Sequence, residues 1–252
     1  ETKAAIEMES LKEIVKAADG VMIARGDLAV ETSPEIVPIV EREAIRLCRK
    51  YGKLSIVATQ MLASMVDNPE PTRAEVSDVA TAVILGADVV MLSDETANGS
   101  YPVEAVKMMA KTVRYTQSRW PMNDMPIEYG EKNRRRNAIA NAAVVVANQV
   151  DADVIIAETK SGATAARIAA CRPELPIAAV TPNKRVAQQL ALSYATRSYV
   201  RKEGEHVGTK LAKELLDWGT FGRDDKLTAV VVSGRQSGVA SGTDTLRVRV
   251  VE

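Results

Sequence analysis

The sequence predicts an α/β protein: a partial (β/α)8 barrel segment followed by a second, three-layer α/β domain. Two observations predict the barrel segment. Short apolar runs recur about 34 residues apart in the first 120 residues, the length of one βα unit. Each run ends in a polar cluster and is followed by a helical pattern. A third observation predicts the second domain: a new series of apolar runs and helical patterns begins near residue 133.

The runs are Val21-Met22-Ile23-Ala24, Leu54-Ser55-Ile56-Val57-Ala58 and Val89-Val90-Met91-Leu92. Short, apolar and rich in β-branched residues, they read as strands buried on both faces. Between them, Ile36, Ile39, Val40, Ala44, Leu47 and Tyr51 share one helical face at 3–4 spacing. So do Val76, Val79, Ala80, Val83 and Ile84, and then Val103, Val106, Ala110 and Val113. Thr72 and Glu75 have capping-box spacing, and Pro34 and Pro102 suit first turns. The polar clusters fall where barrel active sites lie, at the strand ends. A closed barrel takes eight strands; three are read here, with a further strand end expected at Glu1.

The stretch from Trp120 to Gly130 has no periodicity and carries Pro121, Asn123, Asp124 and Pro126, which reads as a linker. The expected domains are therefore 1–120, a linker at 121–132, and 133–252. In the second domain a helix is expected over 133–149. Strands are expected at Val154–Ala157, Ile177–Val180, Ser198–Val200, Leu227–Val232 and Leu246–Val251, with helices near Ala163–Ala170, Lys184–Leu192 and Gly208–Trp218. No helix separates the last two strands, so they are expected to pair antiparallel.

Composition narrows the function. The formal net charge is +0, which argues against a nucleic-acid or membrane-surface partner. Arg134-Arg135-Arg136 reads as a solvated helix start. No apolar run reaches the roughly 20 residues that span a bilayer. Cys48 and Cys171 read as reduced structural thiols of a cytoplasmic protein. His206 is the only histidine and reads as a solvated loop residue, and Trp120 and Trp218 as packing anchors.

Four blocks, in order, carry a resemblance: MIARGDLAVE (22–31), ATQMLASM (58–65), NPEPTRAEVSDVA (68–80) and MLSDETA (91–97), with GTDTLRV (242–248) near the end. Together they resemble the pyruvate kinases over nearly the whole chain. The resemblance implies the last third of a catalytic barrel, joined to that family's C-terminal regulatory domain. It implies phosphoryl transfer from phosphoenolpyruvate to ADP, giving pyruvate and ATP in glycolysis, with Mg2+ (or Mn2+) and K+.

Phosphoryl transfer needs cations on the equatorial oxygens and firm positioning, and a hard divalent ion suits carboxylates. Asp27 is the expected metal ligand. Glu1 is expected as a second, the remnant of a Lys-Ile-Glu segment, or else as a frayed terminal residue. The resemblance implies that the Gly26 and Asp27 amides hold the substrate carboxylate. It places Thr59 beside that carboxylate and near the enolate carbon, with a loop cap as its plainer role. Arg25 is expected in the catalytic set, ordering the loop. Arg73, Ser93 and Glu95 are expected to support the site and the interface between barrels. Asp94 stands where the family usually has glycine.

In the second domain, Thr159, Lys160, Ser161, Gly162 and Thr164 join a strand to a helix start. By resemblance, this loop binds a regulatory sugar phosphate or nucleotide, with Arg235 clamping from the 234–238 loop; a plain N-cap with an exposed lysine fits the same residues. The family is commonly a homotetramer. The early barrel strands, the lid domain and the potassium ligands of the family have no counterpart in these residues, so the polypeptide is expected to be inactive by itself. The alternative is a non-catalytic effector-binding module with a vestigial half-barrel.

Overall fold

The computed structural model describes residues 6–121, 134–221, 225–234 and 243–252. Glu1, Arg235 and nearly all of the expected linker lie outside them. The chain divides into two compact units, 1–126 and 127–252.

The first unit opens with α1 (Met8–Ala17), an element the sequence analysis left unassigned. Leu11 and Val15, one turn apart, bury its inner face. Then follow β1 (Gly20–Ala24), α2 (Arg25–Glu31), α3 (Val37–Tyr51), β2 (Leu54–Ala58), α4 (Arg73–Leu85), β3 (Val89–Met91), α5 (Asp94–Ala97) and α6 (Pro102–Arg119). The three strands are parallel, in the order β1-β2-β3. Their register sets Ala24, Ala58 and Met91 level. The three polar clusters therefore leave the sheet along one edge, as a barrel strand–helix repeat requires.

Two helical faces differ from expectation. On α6, Val103 and Val106 are more than half exposed, and Ala105, Met109, Thr112 and Thr116 are buried instead. That helix has apolar residues on two sides, and the stripe through Ala105 and Met109 is the one that joins the core of the unit. On α3, Ile39 is exposed while Val40, Ala44 and Leu47 are buried as expected.

The capping box forms: the Glu75 amide donates to the Thr72 hydroxyl, and the Thr72 amide to the Glu75 carboxylate. The amide and hydroxyl of Ser64 also donate to Glu75, at 2.7 and 2.6 Å. Burial pushes this carboxyl up, but the bonds from Ser64 and Thr72 outweigh it and hold it below the usual range. The folded pKa thus lies beneath the unfolded one, about 4.3. Glu75 stabilises the fold above that value, and the contribution disappears as pH falls through the folded pKa. Thr72→Ala is expected to cost about 1 kcal/mol. Glu75→Gln should cost stability at neutral pH, with the deficit closing in acid; urea titrations at two pH values check this.

The second unit comprises α7 (Arg134–Gln149), β4 (Val154–Glu158), α8 (Ala163–Ala170), β5 (Ile177–Thr181), α9 (Lys184–Gln189), β6 (Thr196–Val200), α10 (Val207–Asp217), β7 (Leu227–Gly234) and β8 (Thr243–Val251). The sheet order is β6-β5-β4-β7-β8, parallel except for the antiparallel β7–β8 pair. Alternate residues explain three layers. Val154, Ile156, Val180, Ala229 and Val231 form a core with Leu211 and Leu215 of α10, while α7 and α8 pack against the sheet as well. Both cysteines are buried thiols outside any disulfide. Trp218 is about half exposed and stacks on Tyr199 at 6.1 Å, and Trp120 is also about half exposed; neither is a buried anchor. His206 is an exposed residue preceding α10.

Candidate active site

The first cluster turns from β1 directly into α2, so the Gly26 and Asp27 amides stand in its first turn. The second leaves β2 with two successive left-handed residues, Thr59 (φ 66°) and Gln60 (φ 53°). Such conformations cost on the order of 1–3 kcal/mol each in non-glycine residues and concentrate at functional sites. The two clusters meet: the Gly26 amide donates to the Thr59 hydroxyl oxygen at 3.0 Å. The amide expected to be open to a substrate is thus already satisfied by Thr59. Asp27 is exposed on the same turn. A Cβ built on Gly26 would lie 3.5 Å from the Thr59 oxygen, an ordinary contact, so packing within the chain does not itself demand a glycine.

Arg25 is buried, and its guanidinium is taken up by protein partners. Nη2 donates to the Thr59 and Gln60 carbonyls at 2.8 and 3.1 Å and packs on the Met61 sulfur. Nε donates to the Thr59 carbonyl at 3.3 Å. Nη1 meets Asp78 at 2.5 Å and Glu41 at 3.5 Å. Within the chain, Arg25 thus joins the loop after β2 to carboxylates of α3 and α4. Glu41 is buried; burial pushes its carboxyl up, Arg25 opposes this and Asp78 adds to it. The sequence analysis missed Glu41, Gln60 and Asp78. One signal was there: Glu41 interrupts the apolar face of α3 between Val37 and Ile45, a placement that calls for a buried partner.

At the third strand end, Glu95 is buried and accepts the Leu62 amide at 3.0 Å and the Ser93 amide at 2.8 Å. It ties the loops after β2 and β3 together. Ser93 precedes α5, and exposed Asp94 begins it, accepting from the Asn98 side chain at 3.1 Å. Asp94 is not among the residues with positive φ, so the helical start accommodates it without that strain. Arg73 is exposed at the first position of α4.

The second-unit loop is less open than expected. Gly162, left-handed, precedes α8, and Ser161 is exposed. Thr159 is buried, the Thr164 hydroxyl bonds that of Thr243 at 2.7 Å, and Lys160 pairs with Glu203 at 2.8 Å. Glu158 accepts the Gly208 amide at the start of α10. The lysine expected to greet a phosphate is thus ion-paired in the chain itself.

These residues offer a divalent ion only part of a coordination shell. Among the described residues, no three acidic, histidine or cysteine groups cluster as a full ligand set. Mg2+ keeps several waters and takes one or two carboxylates plus substrate oxygens. Asp27, exposed and at the strand end, fits such a partial shell; Glu95 is already engaged with two amides.

Comparison with known proteins bears on these features. Residues 1–106 match the family model "Pyruvate kinase, barrel domain", and residues 137–249 match "Pyruvate kinase, alpha/beta domain". A pyruvate kinase of Clostridium acetobutylicum is 37% identical over 97% of this chain and 52% of its own length. One from Agrobacterium vitis is 46% identical over 79% of the chain and 42% of its own length. The crystal structure of a Cryptosporidium parvum pyruvate kinase superposes with a TM-score of 0.83 at 32% identity, covering 98% of this chain and 49% of that one. The chain spans about half the length of the curated relatives it matches.

Proposed function

This chain belongs to the pyruvate kinase family, and from that premise we propose that its first unit supplies the substrate- and metal-gripping edge of a pyruvate kinase active site. The observation that carries this reading is the junction of the Gly26 amide with the Thr59 hydroxyl, next to an exposed Asp27. A divalent ion held by Asp27, with Glu1 as a second ligand, would neutralise charge on the phosphoryl oxygens and the enolate. Thr59 accepts from Gly26 and keeps its own proton to donate, so it can bond the carboxylate of a three-carbon acid and stand beside the carbon that is protonated. The N-terminal end of α2, although its Gly26 amide is taken by Thr59, lends its dipole to the same anion. Overall, phosphoenolpyruvate, ADP and a proton become pyruvate and ATP.

Arg73, Ser93 and Glu95 support this edge, Glu95 through the two amides it accepts. In the second unit, the 159–164 loop with Arg235 is the proposed effector site. An anion there must displace Glu203 from Lys160. Glu203→Gln is therefore expected to tighten sugar-phosphate or AMP binding, which calorimetry reads; unchanged or weaker binding would count against the site.

A three-stranded sheet carries part of a barrel mouth. The 252-residue polypeptide, purified by itself, is expected to form no pyruvate above blank from phosphoenolpyruvate, ADP, Mg2+ and K+. Sustained turnover in that coupled assay would overturn the proposal that this edge needs further strands.

A further inference from the structure

The left-handed pair Thr59–Gln60 needs something to hold it, and the fold provides one group that does so. A single guanidinium, from Arg25, reaches both of its carbonyls. Only a planar fork with several fixed donors can do this while a second edge faces carboxylates; a lysine ammonium lacks that geometry. The far edge of the fork is gripped from two different helices, by Glu41 of α3 and Asp78 of α4. The connection continues beyond the turn, because the Thr59 hydroxyl accepts the amide of Gly26, the residue next to Arg25. The ends of β1 and β2 are therefore tied twice, by a side chain and by a backbone amide.

The geometry points to Asp78 and Glu41 as positioning residues: through Arg25 they set the Thr59–Gln60 turn, and so the aim of the Thr59 hydroxyl. This rests on the reading of Thr59 as a substrate group, but its structural half is testable without substrate. Asp78 carries more of the load. It makes the shorter contact, and its side chain is about one-third exposed, so Asp78→Asn removes the charge without leaving a cavity. Glu41, at 3.5 Å and almost fully buried, fixes the plane of the fork from the other side.

The test is amide hydrogen exchange by NMR on the full chain, for Asp78→Asn, Glu41→Gln and Arg25→Lys, with Asp78→Glu as the conservative rescue. Pyruvate affinity in Mg2+ is measured alongside. Asp78→Asn is expected to speed exchange at Gly26 about tenfold, the scale of one lost hydrogen bond, with the strand amides of Ile23 and Val57 unchanged. Pyruvate affinity should fall in step, and Asp78→Glu should restore much of both. Unchanged Gly26 exchange in both Asp78→Asn and Arg25→Lys overturns the inference. So does equal acceleration of every amide in the unit, which would make the carboxylates general supports. If Gly26 responds as expected while the parent chain binds no pyruvate, the positioning stands and the substrate role of Thr59 fails.

Discussion

Arg25→Met is expected to destabilise the first unit by about 3–5 kcal/mol, the cost of stripping one partner from a buried ion pair. The reasons are local. Glu41 is only 5% exposed, and without the guanidinium it becomes an uncompensated buried charge. The Thr59 and Gln60 carbonyls lose their donors at the same time, while the turn between them keeps its unfavourable dihedrals. Urea denaturation followed at first-unit amide resonances reads the loss. The double variant Arg25→Met with Glu41→Met should recover much of it, since an apolar pair of similar volume can replace a buried ion pair. A single-variant loss below about 1 kcal/mol would place Arg25 among surface ion pairs instead, contrary to its burial.

The second large effect concerns Asp27. Asp27→Asn keeps the shape of the side chain and removes the charge a hard divalent ion requires. Metal affinity is expected to fall at least about 100-fold, since losing even an outer partner of a metal ligand costs 10–100-fold. The proposed site also predicts that Mg2+ raises pyruvate affinity in the parent chain and fails to do so in Asp27→Asn. Calorimetric titration of Mn2+, with and without pyruvate, measures both. Thr59→Ala should behave differently, weakening pyruvate while leaving the metal in place. If Asp27→Asn left the cation response intact, the proposed ligand set would be wrong.

Strand ends were the most legible feature of the sequence. Runs such as Leu54–Ala58 are apolar apart from Ser55, whose hydroxyl and amide both bond Asp88, and their ends carry the residues that meet in space. The antiparallel last pair was legible because the sequence between Val232 and Leu246 carries no helical periodicity. Helix faces were harder. α6 offers two apolar stripes, and only packing decides which is buried. α1 was passed over although Leu11 and Val15 stand one turn apart. Side-chain partners were the least legible, because they depend on which rotamers meet. Nothing in the spacing joins Arg25 to Asp78, 53 positions away, or Lys160 to Glu203. The same holds for the Gly26 amide, expected to be free and found bonded to Thr59.

Manganese broadening of amide resonances tests the convergence of these groups most directly. Substoichiometric Mn2+, added with pyruvate to the labelled chain, is expected to broaden Gly26, Asp27 and Thr59 first, and Asp27→Asn should abolish the effect. Broadening centred on other acidic residues, such as Glu104 or Asp217, with those three resonances sharp, would contradict it.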